Sequence, residues 1–577
     1  MSIFLRRITT LAACLLLSPF TLAAIREYHL TIAQKMVNIT GQAVEKITVN
    51  SQFPAPTLFF EEGDEAVIHV HNQLKKQDTS LHWHGLLLPA VMDGVPGLNG
   101  FQGIHPNADF TYRFKIRQTG TYWYHAHSVG QEQDGLYGAL IIYPKNKQYT
   151  DPVDRADRDE VVMLSDFHAS SSQQIMNNLK KSAEYYQNQR ETLKDVWQQA
   201  KTQGVFATWQ QRKMWNQMRM LRTDLSDVTG YTFLVNGKTP AQNWTTSFKT
   251  GEKLRLRFIN ASAMSFFDVR IPNLKMTVVS ADGQPIQPVA VDEFRFGAGE
   301  TYDVMVEPKQ SNYQLQAESI DRSGFALAQL HKAATPFEKL PQPEHRPRAL
   351  LSMNDMPMSE MKHDMPMSEM KHDMPMSEMK HDMSMSDMKH DMPISNSDSK
   401  QSKDVEGWAN ASTPMGEKAL QYQDLKARIV QKDARQPTQT IDISLDGNME
   451  RYIWSMNGKT LSQATPLQVK YGERVRLRFI NHTMMAHPMH LHGMFVQLEN
   501  GQKLENLPNK HTIIVPPAQT VSVLLTADEM GEWAIHCHLL YHMTAGMMNT
   551  LIVGKVSSAP VLAEKMPMNE EQSHAHH

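Results

Sequence analysis

Two stretches of this chain repeat one another, and the repeat restricts what the chain can fold into. VNGKTP followed by GEKLRLRFINAS recurs as MNGKTL followed by GERVRLRFINHT, with the same separation from Asn236 to Gly251 as from Asn457 to Gly472. A looser copy runs from Asn50 through EEGDEAVIHVHNQL. Apolar and polar residues alternate within these copies, as they do in strands buried on one face. Three copies of one strand unit predict an all-β chain of three similar β-sandwich domains.

Two insertions interrupt the repeated plan. Residues 171–222 lack strand alternation and are rich in helix formers, which predicts two or three helices attached to the middle domain. We interpret the methionine and aromatic side chains of this insertion as packing residues. From Met356 to Met392 the unit MPMSEMKHD repeats every nine residues, with its last full copy altered to MSMSDMKHD. Few of these residues can build a core, so the segment is predicted to be disordered without metal.

The beginning of the chain has the features of an export signal. Arg6 and Arg7 precede an apolar run that is too short to span a bilayer with ease, and small residues follow at Ala23 and Ala24. We expect cleavage near Ala24 and a periplasmic location, reached by either the twin-arginine or the general secretory route. The letters LAAC, ending at Cys14, also resemble a lipid-attachment site. The net charge of -3 gives no reason to expect a nucleic-acid partner.

Cleavage near Ala24 would leave one cysteine in the mature chain, Cys537, because Cys14 lies in the leader. No disulfide can then form within the chain. A lone cysteine in an oxidising compartment is expected to be shielded or bound to a metal. A buried and chemically inert cysteine is the alternative.

The neighbours of Cys537 favour a metal. GEWAIHCHL has the alternation of a short strand, which places His536 and His538 on one face and Cys537 on the other, so one strand could serve two metal centres. Together with His542 and Met547, the cysteine supplies most of a trigonal blue-copper set, which has a weak axial methionine. Zinc would more often have a second cysteine or a carboxylate.

Three further clusters hold histidines two positions apart, so each pair faces one way if its segment is a strand. A single pair is weak evidence, and we interpret His69 and His71 in IHVHN as a chance product of strand alternation. Four pairs together with one cysteine are stronger evidence for a metal cluster. The three clusters are HWHG with His82 and His84, YHAH with His125 and His127, and HPMHLHG with His487, His490 and His492.

These four stretches, in this order, resemble the copper signatures of the multicopper oxidases. From about Arg26 to Val553 the chain is similar to the copper-resistance branch of that family, the periplasmic copper oxidases. The resemblance implies cupredoxin-like domains and four copper ions, one of type 1, one of type 2 and two of type 3. It assigns His487, Cys537, His542 and axial Met547 to type 1, His82 and His490 to type 2, His84, His125 and His538 to one type 3 copper, and His127, His492 and His536 to the other.

The chemistry of dioxygen gives an independent reason for two linked centres. Reducing dioxygen to water takes four electrons, whereas Cu(I) or a phenol gives one electron at a time. The enzyme therefore needs a one-electron acceptor and a store. The Cys537 site can accept single electrons, and His536 and His538, its neighbours in sequence, would pass them to a three-copper cluster whose open positions bind oxygen.

Protons are also required, and Asp93 follows His84 closely in LLLPAVMDGVPG. The resemblance implies a carboxylate here that relays protons to the cluster. Asp-Gly is also a strong turn dipeptide, so a turn residue is the alternative. Members of this branch tend to have an acidic residue soon after the second type 1 histidine, whereas this chain has Met543 and Thr544. Any role that the family assigns to that acidic residue is therefore not expected of this chain.

The expected function is oxidation of Cu(I) to Cu(II) with dioxygen as acceptor, serving copper resistance. The thioethers of the nine-residue repeats are soft ligands that prefer Cu(I). Two alternatives stay open: a laccase-like oxidase of phenols, and a copper-sequestering protein whose repeats do the protective work. Expected partners are the small-molecule substrate, dioxygen and other periplasmic copper-handling proteins.

The predicted boundaries follow the repeat. In the middle copy, phenylalanine and aliphatic residues stand where the last copy has histidines, so the middle domain is expected to be structural. The divisions are a signal peptide at 1–24, a first cupredoxin-like domain at 25–148, a second at 155–335 with the helical insertion at about 171–222, a methionine-rich repeat and linker at 350–435, a third domain at 436–556 and a flexible tail at 557–577.

Overall fold

The computed structural model describes residues 24–187, 191–217, 225–336, 338–344, 346, 349–352, 355, 405–406, 408, 413–414 and 416–554. The predicted signal peptide, apart from Ala24, lies outside the described residues, and so do the nine-residue repeats and the predicted tail. Among the described ranges, no helix combines the length and the apolar character needed to cross a membrane.

The first part of the chain forms two four-stranded sheets. The strands are β1 (Ile25–Asn38), β2 (Ala43–Val49), β3 (Leu58–Glu61), β4 (Glu65–Asn72), β5 (His82–His84), β6 (Asp109–Lys115), β7 (Gly120–His125) and β8 (Tyr137–Tyr143). They are ordered β2-β1-β4-β6 in one sheet and β3-β8-β7-β5 in the other. Buried side chains of both sheets, including Trp83, Tyr112 and Tyr124, form one core between them.

The middle part has a six-stranded and a five-stranded sheet. The strands are β9 (Arg158–Phe167), β10 (Thr232–Val235), β11 (Trp244–Phe248), β12 (Leu254–Asn260), β13 (Phe267–Arg270), β14 (Met276–Ala281), β15 (Gln284–Val291), β16 (Glu293–Phe296), β17 (Thr301–Val306), β18 (Asn312–Ser319) and β19 (Phe325–Lys332). Their orders are β10-β9-β12-β17-β14-β15 and β11-β19-β18-β13-β16. Two short strands, β20 (Ala349–Leu350) and β21 (Val405–Glu406), pair in parallel after this unit.

The last part repeats the plan of the middle part. The strands are β22 (Gln439–Asn448), β23 (Ile453–Met456), β24 (Leu467–Lys470), β25 (Arg474–Asn481), β26 (His487–Leu491), β27 (Val496–Leu498), β28 (Asn509–Lys510), β29 (Thr512–Val515), β30 (Thr520–Thr526), β31 (Gly531–Cys537) and β32 (Met548–Gly554). Their orders are β23-β22-β25-β30-β27-β28 and β24-β32-β31-β26-β29.

The sequence repeat therefore corresponds to a repeated topology. Strand for strand, the two sheets of the middle part match those of the last part, and the first part has a shorter version of the same pattern. The prediction of an all-β chain with three β-sandwiches is confirmed. In this correspondence β13 stands where β26 stands, so the buried Phe267 and Val269 occupy a strand that carries histidines in the last domain.

The helical insertion is confirmed as well. It comprises α1 (Ser172–Lys181), α2 (Leu193–Gln203) and α3 (Val205–Gln217), and the short α4 (Leu540–Thr544) follows β31. The Ser171 side chain caps α1 by accepting a hydrogen bond from the Gln174 N–H. Ile175 of α1 and Trp215 of α3 share one apolar core with Cys537 of the last domain. The insertion therefore packs against the last domain.

The expectation that the aromatic residues of the insertion pack is wrong for three of the four that lie on α2 and α3. Trp197, Phe206 and Trp209 are 63%, 70% and 59% exposed. They lie on α2 and α3, which pack against each other, so part of their surface faces solvent and not the sandwiches. Apolar composition alone did not indicate which helix faces would be covered.

Polar contacts fix the last domain against the other two. Asn99 and Glu532 exchange three hydrogen bonds of 2.7 to 2.9 Å across the boundary between the first and last domains. The buried Lys510 ammonium lies 3.0 Å from both the Asp282 and the Glu300 carboxylates of the middle domain. Buried charges require such partners, because an unpaired charge is costly to remove from water. These contacts set the relative positions of the strands that carry histidines.

Candidate metal centre

Cys537 lies at the end of β31, opposite Met489 of β26 and shortly before α4. Its Sγ is 3.5 Å from His487 Nδ1 and 3.8 Å from His542 Nδ1, and the two Nδ1 atoms are 3.1 Å apart. Trigonal metal coordination with bonds of about 2.3 Å to sulfur and about 2.0 Å to nitrogen would place sulfur and nitrogen about 3.7 Å apart. The three side chains are fully buried and their spacing fits one metal ion.

The tautomers of His487 and His542 also fit the binding of one metal ion. His542 Nε2 lies 2.8 Å from Asp227 Oδ2, and His487 Nε2 lies 2.8 Å from Thr483 Oγ1. We assign each ring proton to Nε2 from these partners, which leaves both Nδ1 atoms as bare lone pairs. Two facing lone pairs repel unless a cation lies between them, so the arrangement is suited to a bound metal.

Burial keeps these groups in the neutral form when no metal is bound. It raises the pKa of the Cys537 thiol and lowers the pKa of His487 and His542 well below the usual value. Neutral imidazole is the form that binds metal, and a metal cation would displace the thiol proton. Met547 is buried in the same core, and its carbonyl oxygen accepts a hydrogen bond from Cys537 N–H at 3.1 Å. The structure therefore gathers all four side chains of the predicted type 1 set in one core.

The remaining eight histidines of the predicted sites lie together where the first and last domains meet. Five of them lie on the strand pairs β5–β7 and β26–β31, where His82 is opposite His125 and His490 is opposite His536. His127, His492 and His538 follow the ends of β7, β26 and β31. Burial lowers the pKa of His84, His125, His127, His490, His492, His536 and His538, which are therefore neutral at pH 7.

Two ring stacks join the halves of this cluster. The rings of His82 and His492 have centroids 3.7 Å apart, and those of His84 and His490 are 3.8 Å apart. Each stack pairs a histidine of the first domain with one of the last domain. Neither domain holds the complete cluster, so the site depends on how the two domains dock.

Three of these histidines meet through their Nε2 atoms. His536 Nε2 lies 3.0 Å from His492 Nε2 and 3.4 Å from His127 Nε2. The Nδ1 of His492 contacts the Asp93 carboxylate at 2.9 Å, and that of His536 contacts the Cys537 carbonyl oxygen at 3.0 Å. Both Nδ1 atoms must carry protons to donate these hydrogen bonds, so the facing Nε2 atoms are bare. A cation is needed to hold bare nitrogens this close.

The other five histidines also leave nitrogens without partners. The rings of His84, His125 and His538 have centroids 4.8 to 5.5 Å apart. His84 Nδ1, His125 Nε2 and both nitrogens of His538 are buried with no hydrogen-bond partner among the described residues. His82 and His490 donate from Nδ1 to backbone carbonyls at 2.9 and 2.8 Å, which leaves Nε2 bare. Bare, buried imidazole nitrogens form a donor set that suits copper ions.

Asp93 lies at the boundary between the two halves of the cluster. Its carboxylate is buried, with Oδ1 3.3 Å from His82 Nδ1 and Oδ2 2.9 Å from His492 Nδ1. The residue also ends a short 3₁₀ turn, and Gly94 follows at a φ of +80° where a Cβ would lie 1.8 Å from the Leu81 carbonyl oxygen. Asp93 therefore belongs to a turn and contacts both domains' histidines.

Three residues at the centres are absent from the sequence-based prediction. Asp227 contacts His542, and His511 has its ring 4.8 Å from that of His84. Glu132 Oε2 lies 2.8 Å from His125 Nδ1, and burial raises the pKa of Glu132. None of the three belongs to a spaced motif, so no local signal marks them. Glu132 provides a second carboxyl group at the histidine cluster, in addition to that of Asp93.

Comparison with known proteins agrees with this geometry. Family models described as multicopper oxidase match residues 31–147, 158–335 and 434–557. The chain is 46% identical over 554 residues to a copper resistance protein A homolog of Pseudomonas syringae pv. tomato, covering 91% of this chain and 92% of the relative. It is 45% identical over 567 residues to copper resistance protein A of Escherichia coli, with the same coverage.

Solved structures share the fold. The crystal structure of Fet3p, a multicopper oxidase that functions in iron import, aligns with a TM-score of 0.64 and 18% identity, covering 92% of this chain and 90% of that one. A laccase from Botrytis aclada aligns with a TM-score of 0.63 and 21% identity, covering 92% and 88%. At these identities the likeness concerns the fold alone, which consists of cupredoxin-like sandwiches as predicted.

Proposed function

The chain belongs to the multicopper oxidase family, and on that premise we propose that it oxidises Cu(I) to Cu(II) with dioxygen as electron acceptor and so serves copper resistance. Family membership makes it an oxidoreductase with copper cofactors. One observation carries the proposal: the Cys537 thiol, beside two bare imidazole nitrogens, is flanked in sequence by two histidines of the other centre. Relatives named copper resistance protein A support copper as the substrate.

We propose four copper ions, and the bare nitrogens described above support that number. When bound, copper would accept single electrons at the cysteine centre and reduce dioxygen at the histidine cluster. The proposed ligands are His487, Cys537, His542 and Met547 for type 1, His82 and His490 for type 2, and His84, His125, His538 and His127, His492, His536 for the type 3 pair.

The backbone of β31 connects the two centres directly. His536 and His538 project into the histidine cluster, while the side chain of Cys537, between them, lies in the other centre. Strand alternation produces this division, because consecutive side chains point to opposite faces. The connection is covalent, so its length does not depend on side-chain motion.

Asp227 is the group that we propose to attract the substrate cation. Its Oδ2 contacts His542 Nε2 and accepts a hydrogen bond from the Tyr452 hydroxyl at 2.7 Å, whereas its buried Oδ1 has no hydrogen-bond partner within the described residues. Burial raises the pKa of Asp227 to about 6, so the group is mostly carboxylate at pH 7. Since His542 and Asp227 are both fully buried, direct ring contact with a bulky phenol is disfavoured.

The Asp93 carboxylate is proposed to relay protons to the cluster. Asp93→Asn keeps an oxygen that can accept from His492 Nδ1 but removes the ionisable group, so turnover should fall roughly 10²- to 10⁴-fold, the usual contribution of a positioned acid or base. Copper content and blue colour should stay unchanged, which metal analysis and absorption spectra check. A variant with wild-type turnover would leave Asp93 as a turn residue only.

The proposed reaction has a fixed stoichiometry, which gives its test. Protein with its resident copper in place is mixed anaerobically with excess Cu(I), and dioxygen is then added in measured amounts. We expect four Cu(I) ions to be oxidised per dioxygen consumed, over many turnovers, because water is the product. Uptake of Cu(I) without repeated turnover would instead indicate sequestration, and rapid oxidation of a catechol with slow oxidation of Cu(I) would indicate a laccase-like enzyme.

Residues 356–392, the nine-residue repeats, are proposed to deliver Cu(I) to the last domain by tethering. Deleting them should raise the apparent KM for Cu(I) several-fold and leave kcat and the blue colour intact, because a tether matters only when substrate is scarce. Oxidation of a bulky phenol should be unchanged or faster. If the repeats alone restore copper tolerance to cells that carry a Cys537→Ser protein, sequestration is the main function.

We also propose a periplasmic enzyme, supported by Arg6, Arg7 and the small residues near Ala24. N-terminal sequencing of the protein from a periplasmic extract checks this. A chain that keeps its leader and stays in the cytoplasm would contradict it.

A further inference from the structure

A second cluster of imidazoles lies on the exposed face of the sheet β2-β1-β4-β6. Strands β1 and β4 run parallel, and their register sets His29 beside His69. The two rings stack with centroids 4.6 Å apart and planes at 14°. Glu27 precedes His29 by two positions and therefore lies on the same face of β1. Its Oε1 is 3.3 Å from His29 Nε2 and 2.9 Å from His69 Nε2.

The Glu27 Oε1 atom therefore lies close to both Nε2 atoms, and the exposed rings would have to turn out of their stack for both lone pairs to meet one ion. A metal bound at about 2.0 to 2.1 Å, with angles between about 90° and 110°, places its ligand atoms about 2.9 to 3.4 Å apart. The observed separations of 3.3 and 2.9 Å lie within that range. His69 Nδ1 lies 2.9 Å from the Thr111 hydroxyl, which can hold the Nδ1 proton and leave Nε2 for a metal.

We propose that His29, His69 and Glu27 form a binding site for a divalent cation, with Cu(II) preferred to Zn(II). Imidazole and carboxylate ligands suit both ions, and the order of divalent affinities favours Cu(II) at a site with these donors. The side chains of His29, Glu27 and His69 are 74%, 52% and 37% exposed, so water completes the coordination and the ion exchanges readily. The site lies on a different sheet from the one that holds β5 and β7.

The proposal goes beyond the oxidase activity and does not depend on it. Cu(II) is the product of the proposed reaction, so this site would hold product on the surface of the first domain. His29, His69 and Glu27 do not contact the cysteine centre or the eight-histidine cluster. Loss of this surface site should therefore leave the blue colour and Cu(I) oxidation unchanged. Failure of the oxidase proposal and failure of this one are therefore distinguishable.

The test uses the full-length, copper-loaded protein dialysed against graded Cu(II), for wild type, His29→Ala, Glu27→Gln and the control His105→Ala. His105 is also an exposed first-domain histidine that contacts one carboxylate, Asp78, at 3.0 Å. We expect His29→Ala to lose one equivalent of exchangeable Cu(II) and Glu27→Gln to bind it at least tenfold more weakly. The paramagnetic resonance signal of that Cu(II), with splitting from two imidazole nitrogens, should vanish in His29→Ala only.

The histidines of the nine-residue repeats and of the tail are the same in all four proteins, so the difference between variants isolates the cluster. Equal Cu(II) stoichiometry and identical spectra in His29→Ala and wild type would overturn the proposal and leave a hydrogen-bonded cluster only. Displacement of the exchangeable Cu(II) by an equal concentration of Zn(II) would overturn the stated preference.

Discussion

Replacing Cys537 by serine is expected to abolish both the blue colour and the oxidase activity of the copper-loaded protein. Colour of this kind requires a thiolate bound to copper at a trigonal site. A serine hydroxyl does not ionise in a buried apolar core, so neither the colour nor the path for single electrons can form. Absorption spectra, copper content and dioxygen consumption, measured on the same sample, check the result.

The second cysteine of the chain offers a matched control. Cys14 lies in the predicted leader, so the Cys14→Ser variant should keep colour and turnover at wild-type levels. The serine variant at 537 should still bind copper at the histidine cluster, because none of the eight histidines contacts the thiol. An intensely blue Cys537→Ser protein would refute the assignment of the centre.

Replacing His538 by alanine should separate the two centres. The His538 ring lies in the histidine cluster, with both nitrogens free of hydrogen bonds to the described residues, whereas the neighbouring Cys537 side chain lies in the other centre. We therefore expect the variant to keep its blue colour and to lose dioxygen reduction completely. The oxidised variant should lose its colour normally when Cu(I) reduces it, and the reduced variant should fail to regain the colour with dioxygen.

His71→Ala is the control for this variant, since His71 belongs to the exposed pair in IHVHN and hydrogen-bonds to Asp109 at 2.9 Å. It should keep both colour and turnover. His84→Ala, on the opposite strand pair, should behave as His538→Ala does. If colour and turnover fall together in the His538 and His84 variants, the two centres are not separate in the way that strand alternation implies.

Alternation within a strand is a local property, so much of this protein can be predicted from sequence. The repeat around Asn236 and Asn457 predicts the repeated sandwiches, and the His-x-His spacing predicts which side chains share a face. The division of Cys537 from His536 and His538 also follows from that periodicity alone. Each of these inferences needs only a few neighbouring residues.

Other features were decided by tertiary structure. Asp227 is 315 residues from His542 in sequence, and the stack of His84 on His490 joins the first domain to the last. The sequence indicates His69 only as half of a chance His-x-His pair, and the parallel register of β1 and β4 sets it beside His29. Contacts of this kind depend on strand pairing, sandwich packing and domain docking. Strand pairing, packing and docking are determined by the burial of many side chains together. The few residues that come into contact therefore show no spacing pattern in the sequence.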